Sequence, residues 1–218
     1  KLNHYSRYLV VVGWLLGGLV AALFFTAHTL FPETISLWLA MGFSLLLTGA
    51  FHEDGLADSA DGFGGAFARE KKLAIMKDSR IGTYGASALV MALLGKYLLL
   101  IENSNIIIAL LIAYPLSRAT AVSLIADMHY VSDANTSKSK PLANQLTKTD
   151  LFILLLTALP ALFFLPPIHA AILLAALIMV RMVAKAYLNK QIGGYTGDTL
   201  GAVQQVSELI IYGVLLAL

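Results

Sequence analysis

Residues 8–30 read YLVVVGWLLGGLVAALFFTAHTL, from Tyr8 to Leu30, without one Asp, Glu, Lys or Arg. A helix rises about 1.5 Å per residue, so this stretch reaches across a hydrocarbon core of roughly 30 Å. It shows no alternation of apolar and polar residues, which a membrane-spanning strand requires. A helix is the remaining way to satisfy its backbone in lipid. The same reading extends along the chain. Apolar segments recur at Thr34 to Phe51, Ala86 to Ile101, Ile106 to Ala126, Leu151 to Leu165, Ile168 to Val183 and Ala202 to Leu218. The fifth and sixth meet at Pro166-Pro167, which forces a tight turn. The expected fold is all-α: a polytopic integral membrane helical bundle of about seven transmembrane helices, forming a single membrane domain over residues 1–218.

Composition agrees. The chain is 58% hydrophobic and 13% charged, where soluble domains carry about 25% charged residues. Its mean hydropathy is +0.77. With no cysteine, disulfides and thiolate metal sites are excluded, and any metal must take oxygen or histidine donors. The chain begins at Lys1, and its first apolar block is too long for a cleavable signal peptide and lacks a small-residue cleavage site. No internal repeat or low-complexity linker is visible.

The basic residues set an orientation. Lys1 and Arg7 precede the first segment, and the 31–33 connection holds no Lys or Arg. Arg69, Lys71, Lys72, Lys77 and Arg80 lie in the 52–85 loop, and the 102–105 connection has none. Lys138, Lys140 and Lys148 lie in the 127–150 loop, and the Pro166-Pro167 turn has none. Lys185 and Lys190 lie in the 184–201 loop, with Arg181 at its edge. The alternation puts the N-terminus and the three long loops in the cytoplasm and the C-terminus outside. Lys96 and Arg118 fall inside apolar segments and are expected to snorkel or face the bundle interior.

Three stretches carry chemistry. The second segment runs into His52-Glu53-Asp54-Gly55-Leu56-Ala57-Asp58-Ser59-Ala60-Asp61-Gly62. Asp54, Asp58 and Asp61 are spaced i, i+4, i+7, within about 60° of one another on a continued helix. Glu53 points about 100° away. Three like charges on one stripe repel, and a divalent cation removes that cost. The blander reading is a solvated acidic helix end. Gly55 and Gly62 allow a phosphate or another helix to come close. His52 is as readily an interfacial hydrogen-bonder as a ligand.

The second stretch is Met76-Lys77-Asp78-Ser79-Arg80-Ile81-Gly82-Thr83-Tyr84-Gly85. Lys77 and Arg80 can neutralise phosphate oxygens, with Ser79, Thr83 and glycine amides as further donors. Basic residues here also serve as a plain membrane anchor. The third is Gly193-Gly194-Tyr195-Thr196-Gly197-Asp198-Thr199-Leu200-Gly201-Ala202, a turn opening a helix, with amides for an anion and Asp198 as metal ligand, base or simple cap. Glu208 follows inside the last segment, as a functional acid or a partner of Gln204, Gln205 or Arg118.

Together, His52 to Gly62, Lys77 to Gly85, Ser117-Arg118, and Gly193 to Ala202 followed by Glu208 resemble the adenosylcobinamide-GDP ribazoletransferase (cobalamin synthase) family over essentially the whole chain. The family usually has a further segment before His4-Tyr5-Ser6-Arg7, so a missing N-terminal stretch is expected, and the Ser132 to Lys140 loop does not align. The resemblance implies a transferase late in cobalamin biosynthesis, in the bacterial inner membrane, with its active site on the cytoplasmic face. Adenosylcobinamide-GDP and α-ribazole, or its 5′-phosphate, would give adenosylcobalamin, or its phosphate, and GMP, with Mg²⁺. It implies Asp54, Asp58 and Asp61 as metal ligands, and Asp58, Asp61 and Asp198 as catalytic residues. Lys77, Asp78, Ser79, Arg80, Arg118, Thr196, Gly197 and Glu208 are the expected substrate contacts. A homo-oligomer, or a complex with other enzymes of the pathway, is a further expectation. No nucleic acid partner is expected.

Three alternatives compete. Asp58-Ser59-Ala60-Asp61-Gly62 fits the start of the CDP-alcohol phosphatidyltransferase motif, but Ala68-Arg69 comes too late and the later aspartates are missing; prenyltransferases normally carry two aspartate-rich motifs. A transporter would use Lys96, Arg118 and Glu208 as coupling residues, but the acidic cluster lies at one membrane end and no repeat is visible. A scaffold leaves the aspartate stripe unexplained.

Overall fold

The computed structural model describes residues 6–132 and 146–218. Among them the regular structure is helical: α1 Leu9–His28, α2 Glu33–Thr48, α3 Phe51–Gly65, α4 Arg69–Met76, α5 Thr83–Ile101, α6 Ile106–Ser123, α7 Lys148–Ala158, α8 Pro167–Ile192 and α9 Gly197–Ala217. Short 3-10 turns cover Ser6–Tyr8, Leu124–Ala126 and Leu159–Phe164. The all-α, multi-pass membrane fold is therefore as expected. Lys1, His4, Tyr5, Lys138, Lys140 and most of the Ser132 to Lys140 loop lie outside the described residues.

The number of spans differs from seven. Among the described residues, five stretches are long and apolar enough to cross a bilayer: Ser6–His28, Thr83–Ile101, Ile106–Ala126, Pro167–Ile192 and Gly197–Ala217. A sixth arises if the bent pair α2 and α3 is one span. The second segment does not run straight on into the aspartate stripe: Gly49 (φ 61) and Ala50 (φ 52) are left-handed and turn the chain by 84°, and the stripe itself lies on one continuous helix, α3. Glycine adopts that conformation freely, whereas an alanine costs about 1–2 kcal/mol there. The fifth segment is short because α7 gives way to a 3-10 turn at Leu159–Phe164, where Pro160 sits near its start. At about 1.5 and 2.0 Å per residue, α7 and that turn have a summed length of roughly 28 Å.

Two expected loops are largely helix. The 52–85 region holds α3 and α4, and α8 continues through Val183 to Ile192, so the 184–201 loop contracts to residues 193–196.

The core centres on α6, nearly every residue of which is buried. It admits α1 closely because α1 presents Gly13 and Gly17. A Cβ on Gly13 would lie 2.7 Å from the Tyr114 carbonyl oxygen, and one on Gly17 would lie 3.1 Å from Tyr114 Cβ. Small residues four apart let helices meet in lipid, where no hydrophobic effect drives them together. The same device brings α3 to α9, and that contact builds the site.

Candidate active site

α3 crosses α9 through glycines. A Cβ on Gly55 would lie 2.7 Å from the Asp198 carbonyl oxygen, and one on Gly201 would lie 3.3 Å from His52 Cα. Of the two expected uses of Gly55, the structure shows the approach of another helix. Gly62 does the same for α4, against Met76 and the Lys72 carbonyl. The crossing packs Gly55, within the stretch that carries the α3 aspartates, against the first turn of α9, which holds Asp198.

The three aspartates share a helical face but have different surroundings. Asp54 is exposed and Asp58 half-buried. Asp61 is buried, and its Oδ2 and Oδ1 accept the Gly82 and Gly85 amides at 2.7 and 2.8 Å. Gly82 is the N-cap of α5, so Asp61 caps that helix from across the bundle, satisfying amides that α5 cannot pair itself. A side chain at either glycine would collide with the Asp61 carboxylate. These amides, expected to face phosphate, are thus engaged by Asp61. Among the described residues, no group of three or more His, Cys, Asp or Glu is placed to hold a metal ion.

The basic loop places Lys77, Ser79 and Arg80 in solvent. Arg80 Nη2 donates to Asp78 Oδ2 at 2.6 Å and Nε to Oδ1 at 3.0 Å. That pairing raises the Arg80 pKa further, so the guanidinium stays charged.

At α9, Gly193 (φ +74) ends α8 and residues 193–196 make the turn. Thr196 is the N-cap: its Oγ1 accepts from Thr199 N–H at 3.2 Å, and Thr199 Oγ1 accepts from Thr196 N–H at 2.9 Å. Thr196 is buried in this capping box, while Asp198 is half-buried in the first turn, where the helix dipole favours a negative charge. The turn is fixed from outside by an isolated bridge. Tyr195 N–H donates to the His129 carbonyl at 2.9 Å, and Val131 N–H to the Tyr195 carbonyl at 3.0 Å. The Tyr130 and Tyr195 rings meet edge to face. Burial, aided by Tyr130, pushes the Tyr195 hydroxyl up to about 12, so it stays protonated at neutral pH.

Below the crossing lies a buried polar network. Lys96 Nζ stands 2.6 Å from Glu208 Oε2 and 3.6 Å from Glu53 Oε1. Gln205 Nε2 donates to Glu53 at 2.9 Å, and Gln204 Nε2 donates to Glu208 at 2.6 Å and Ser117 at 3.2 Å. Arg118 faces the bundle interior, donating to the Tyr114 carbonyl at 2.9 Å with its guanidinium over the Tyr114 ring. Glu208, expected at substrate, sits in this ion pair. Glu53 joins α3 to α9 and α5. The 100° offset from Asp54 separated it from the acidic stripe but gave no sign of this tie.

A cavity of about 490 Å³ opens between α1, α6, α9 and the α2–α3 bend. Phe51, His52, Arg118, Tyr195, Gly197 and Gln204 are among its walls. It has no local motif, since its residues come from distant parts of the chain.

The sequence matches the CobS family, described as cobalamin-5-phosphate synthase, over residues 1–216. The chain belongs to this family. It is a transferase of cobalamin biosynthesis. A Vibrio cholerae relative named adenosylcobinamide-GDP ribazoletransferase is 52% identical over 220 residues, covering all of this chain and 84% of the relative. Relatives of the same name from Vibrio parahaemolyticus and Shewanella frigidimarina are 50% and 49% identical, and the chain covers 83% and 85% of them. No solved structure matches. For a cobalamin-5-phosphate synthase, the α3–α9 crossing, the basic loop and the cavity are the features to read against the reaction.

Proposed function

We propose that the α3–α9 crossing is the catalytic centre, with Asp54, Asp58 and Asp198 around it, and that it works on the cytoplasmic face of the bacterial inner membrane with Mg²⁺. The chain carries adenosylcobinamide-GDP ribazoletransferase activity. The second substrate in this reading is α-ribazole or its 5′-phosphate. The observation that supports the proposal is the glycine contact of Gly55 with the Asp198 backbone, which brings together two acidic stretches that are distant in the chain.

The donor set fits the metal. It consists of carboxylates in a chain without cysteine, and Mg²⁺ takes one or two carboxylates and completes its shell with phosphate oxygens and water. Asp54 and Asp58 would hold it, with Asp61 beside them keeping lone pairs beyond those facing α5. Bound there, Mg²⁺ supplies charge neutralisation on the diphosphate. Lys77 and Arg80 bind phosphate oxygens in this reading, Arg80 exchanging Asp78 for phosphate, with Ser79 donating. A ribazole hydroxyl oxygen forms a bond to the cobinamide-side phosphorus. The bond from that phosphorus to the bridging oxygen breaks, and GMP leaves with the electron pair. Asp198 accepts the hydroxyl proton. Gly197 lies at the α9 N-terminus, where the dipole favours anions. Thr196 orders that terminus through its capping box, and Glu208 and Arg118 hold the floor beneath.

The test is Mg²⁺-dependent GMP release from adenosylcobinamide-GDP and α-ribazole by purified protein in detergent. Asp58→Asn is expected to lose at least about 100-fold in kcat while inserting normally in the membrane. Near-parental turnover would sink the assignment. A transporter would release no GMP.

A further inference from the structure

We infer that the 490 Å³ cavity between α1, α6 and α9 receives the aromatic base of the acceptor nucleoside, an apolar bicyclic heteroaromatic. The inference rests on the proposed reaction and adds where its acceptor sits.

Phe51 lies one turn before Asp54 and two before Asp58, on the same side of α3. Phe51 and His52 line the cavity, so its α3 wall is continuous with the acidic stripe. On the other element, Gly197 lines the cavity while the next residue, Asp198, packs its backbone on Gly55. A base held in the cavity therefore leaves its ribose at the crossing, where the hydroxyl is needed.

Leu9, Val12, Leu16, Ala121, Val122 and Ile125 line the cavity with apolar side chains, and Phe51, His52, Tyr130 and Tyr195 are aromatic residues of the same lining. Few polar groups reach it: Arg118, Gln204 and His52 are the main ones. Guanine presents several donors and acceptors at its edge, each costing about 1–3 kcal/mol if buried unpaired. A benzimidazole has one unsubstituted ring nitrogen to satisfy. The volume lies within the roughly 300–1,000 Å³ of small-molecule pockets, and a corrin macrocycle with its side chains exceeds it.

A second cavity of about 550 Å³ between α3, α8 and α9 is lined by Leu56, Ala60, Phe63, Met179 and Val183, with no charged residue. Leu56, Ala60 and Phe63 lie on the side of α3 away from the aspartates. That is the chemistry of lipid chains. The first cavity instead adds a guanidinium, an imidazole and an amide.

The experiment measures α-ribazole affinity by calorimetry, without donor, and both KM values in steady state. Ala121→Phe fills the cavity from α6. It is expected to weaken α-ribazole binding and raise the acceptor KM by about tenfold or more, with the donor KM within about twofold. Leu16→Ala widens the cavity from α1. It is expected to improve kcat/KM for a tricyclic naphthimidazole riboside relative to α-ribazole by about fivefold. If Ala121→Phe fails to fold, the Leu16→Ala ratio decides. Unchanged acceptor affinity in folded Ala121→Phe overturns the inference and leaves the cavity to lipid. A rise in the donor KM alone overturns it in favour of the donor. Absence of GMP release by the parent defeats the reaction, whereas α-ribazole affinity lost in Ala121→Phe still places the base; a parent chain without such affinity overturns the placement.

Discussion

Gly55 carries no side chain, and at the place one would occupy, the α9 backbone lies 2.7 Å away. Gly55→Val is therefore expected to push α3 from α9 and lose activity by at least about 100-fold, while the protein still inserts in membranes; GMP release and membrane fractionation check this. Lys96 is a second decisive residue. It stands between the buried Glu208 and Glu53 carboxylates. Lys96→Met leaves buried negative charge without its partner and is expected to destabilise the protein by about 3–5 kcal/mol. Lys96→Met with Glu208→Leu is expected to recover much of that loss in thermal unfolding in detergent, because two apolar groups replace the pair. Little recovery would mean that the Glu53 contact matters more. The aspartate spacing was legible in the sequence, because helical geometry fixes which residues share a face. The separate environment of Asp61 was not. It depends on Gly82 and Gly85, which arrive from the N-cap and first turn of α5.

α6 and α8 are joined near their ends by Asp127, which accepts from Arg181 at 2.8 Å and Lys185 at 2.6 Å. Burial by itself pushes the Asp127 carboxyl up, but the hydrogen bonds from Lys185 and Arg181 outweigh it and hold the group below its ordinary 3.8. A carboxylate with a lowered folded pKa contributes stability above its unfolded pKa and loses it as pH falls through the folded one. The difference in unfolding temperature between the parent and Asp127→Asn is therefore expected to be largest near about pH 7 and to fade below about pH 4. A constant difference down to acid would show that the ion pair does not carry the contact. At this scale the sequence located most apolar segments. It missed where α8 ends, because Lys185 and Lys190 read as loop residues. A helix tolerates them where they emerge from lipid or pair, as Lys185 does with Asp127.

The whole molecule is a multi-pass helical bundle whose proposed site gathers α3, the α4–α5 loop and the α9 N-terminus at one end. The basic alternation predicts that this end faces the cytoplasm. The chain has no cysteine, so Ser79→Cys introduces a single thiol in the exposed basic loop. A membrane-impermeant maleimide is expected to label it in inverted vesicles and not in right-side-out ones. Labelling from the outside alone would reverse the orientation and place the substrates on the wrong side.

Fold class, membrane solvent, the exclusion of thiolate ligands and the acidic face followed from the sequence, because composition, hydropathy and helical periodicity can be read along the chain itself. The tertiary structure alone decided the rest. It showed the 84° break at Gly49 and Ala50, the capping of α5 by Asp61, the buried Lys96–Glu208 pair, and the cavity beside the crossing. Each joins residues far apart in sequence. Their meeting is set by how closely helix backbones approach at glycines such as Gly13, Gly17, Gly55 and Gly201, and no local pattern records which surface each glycine will touch.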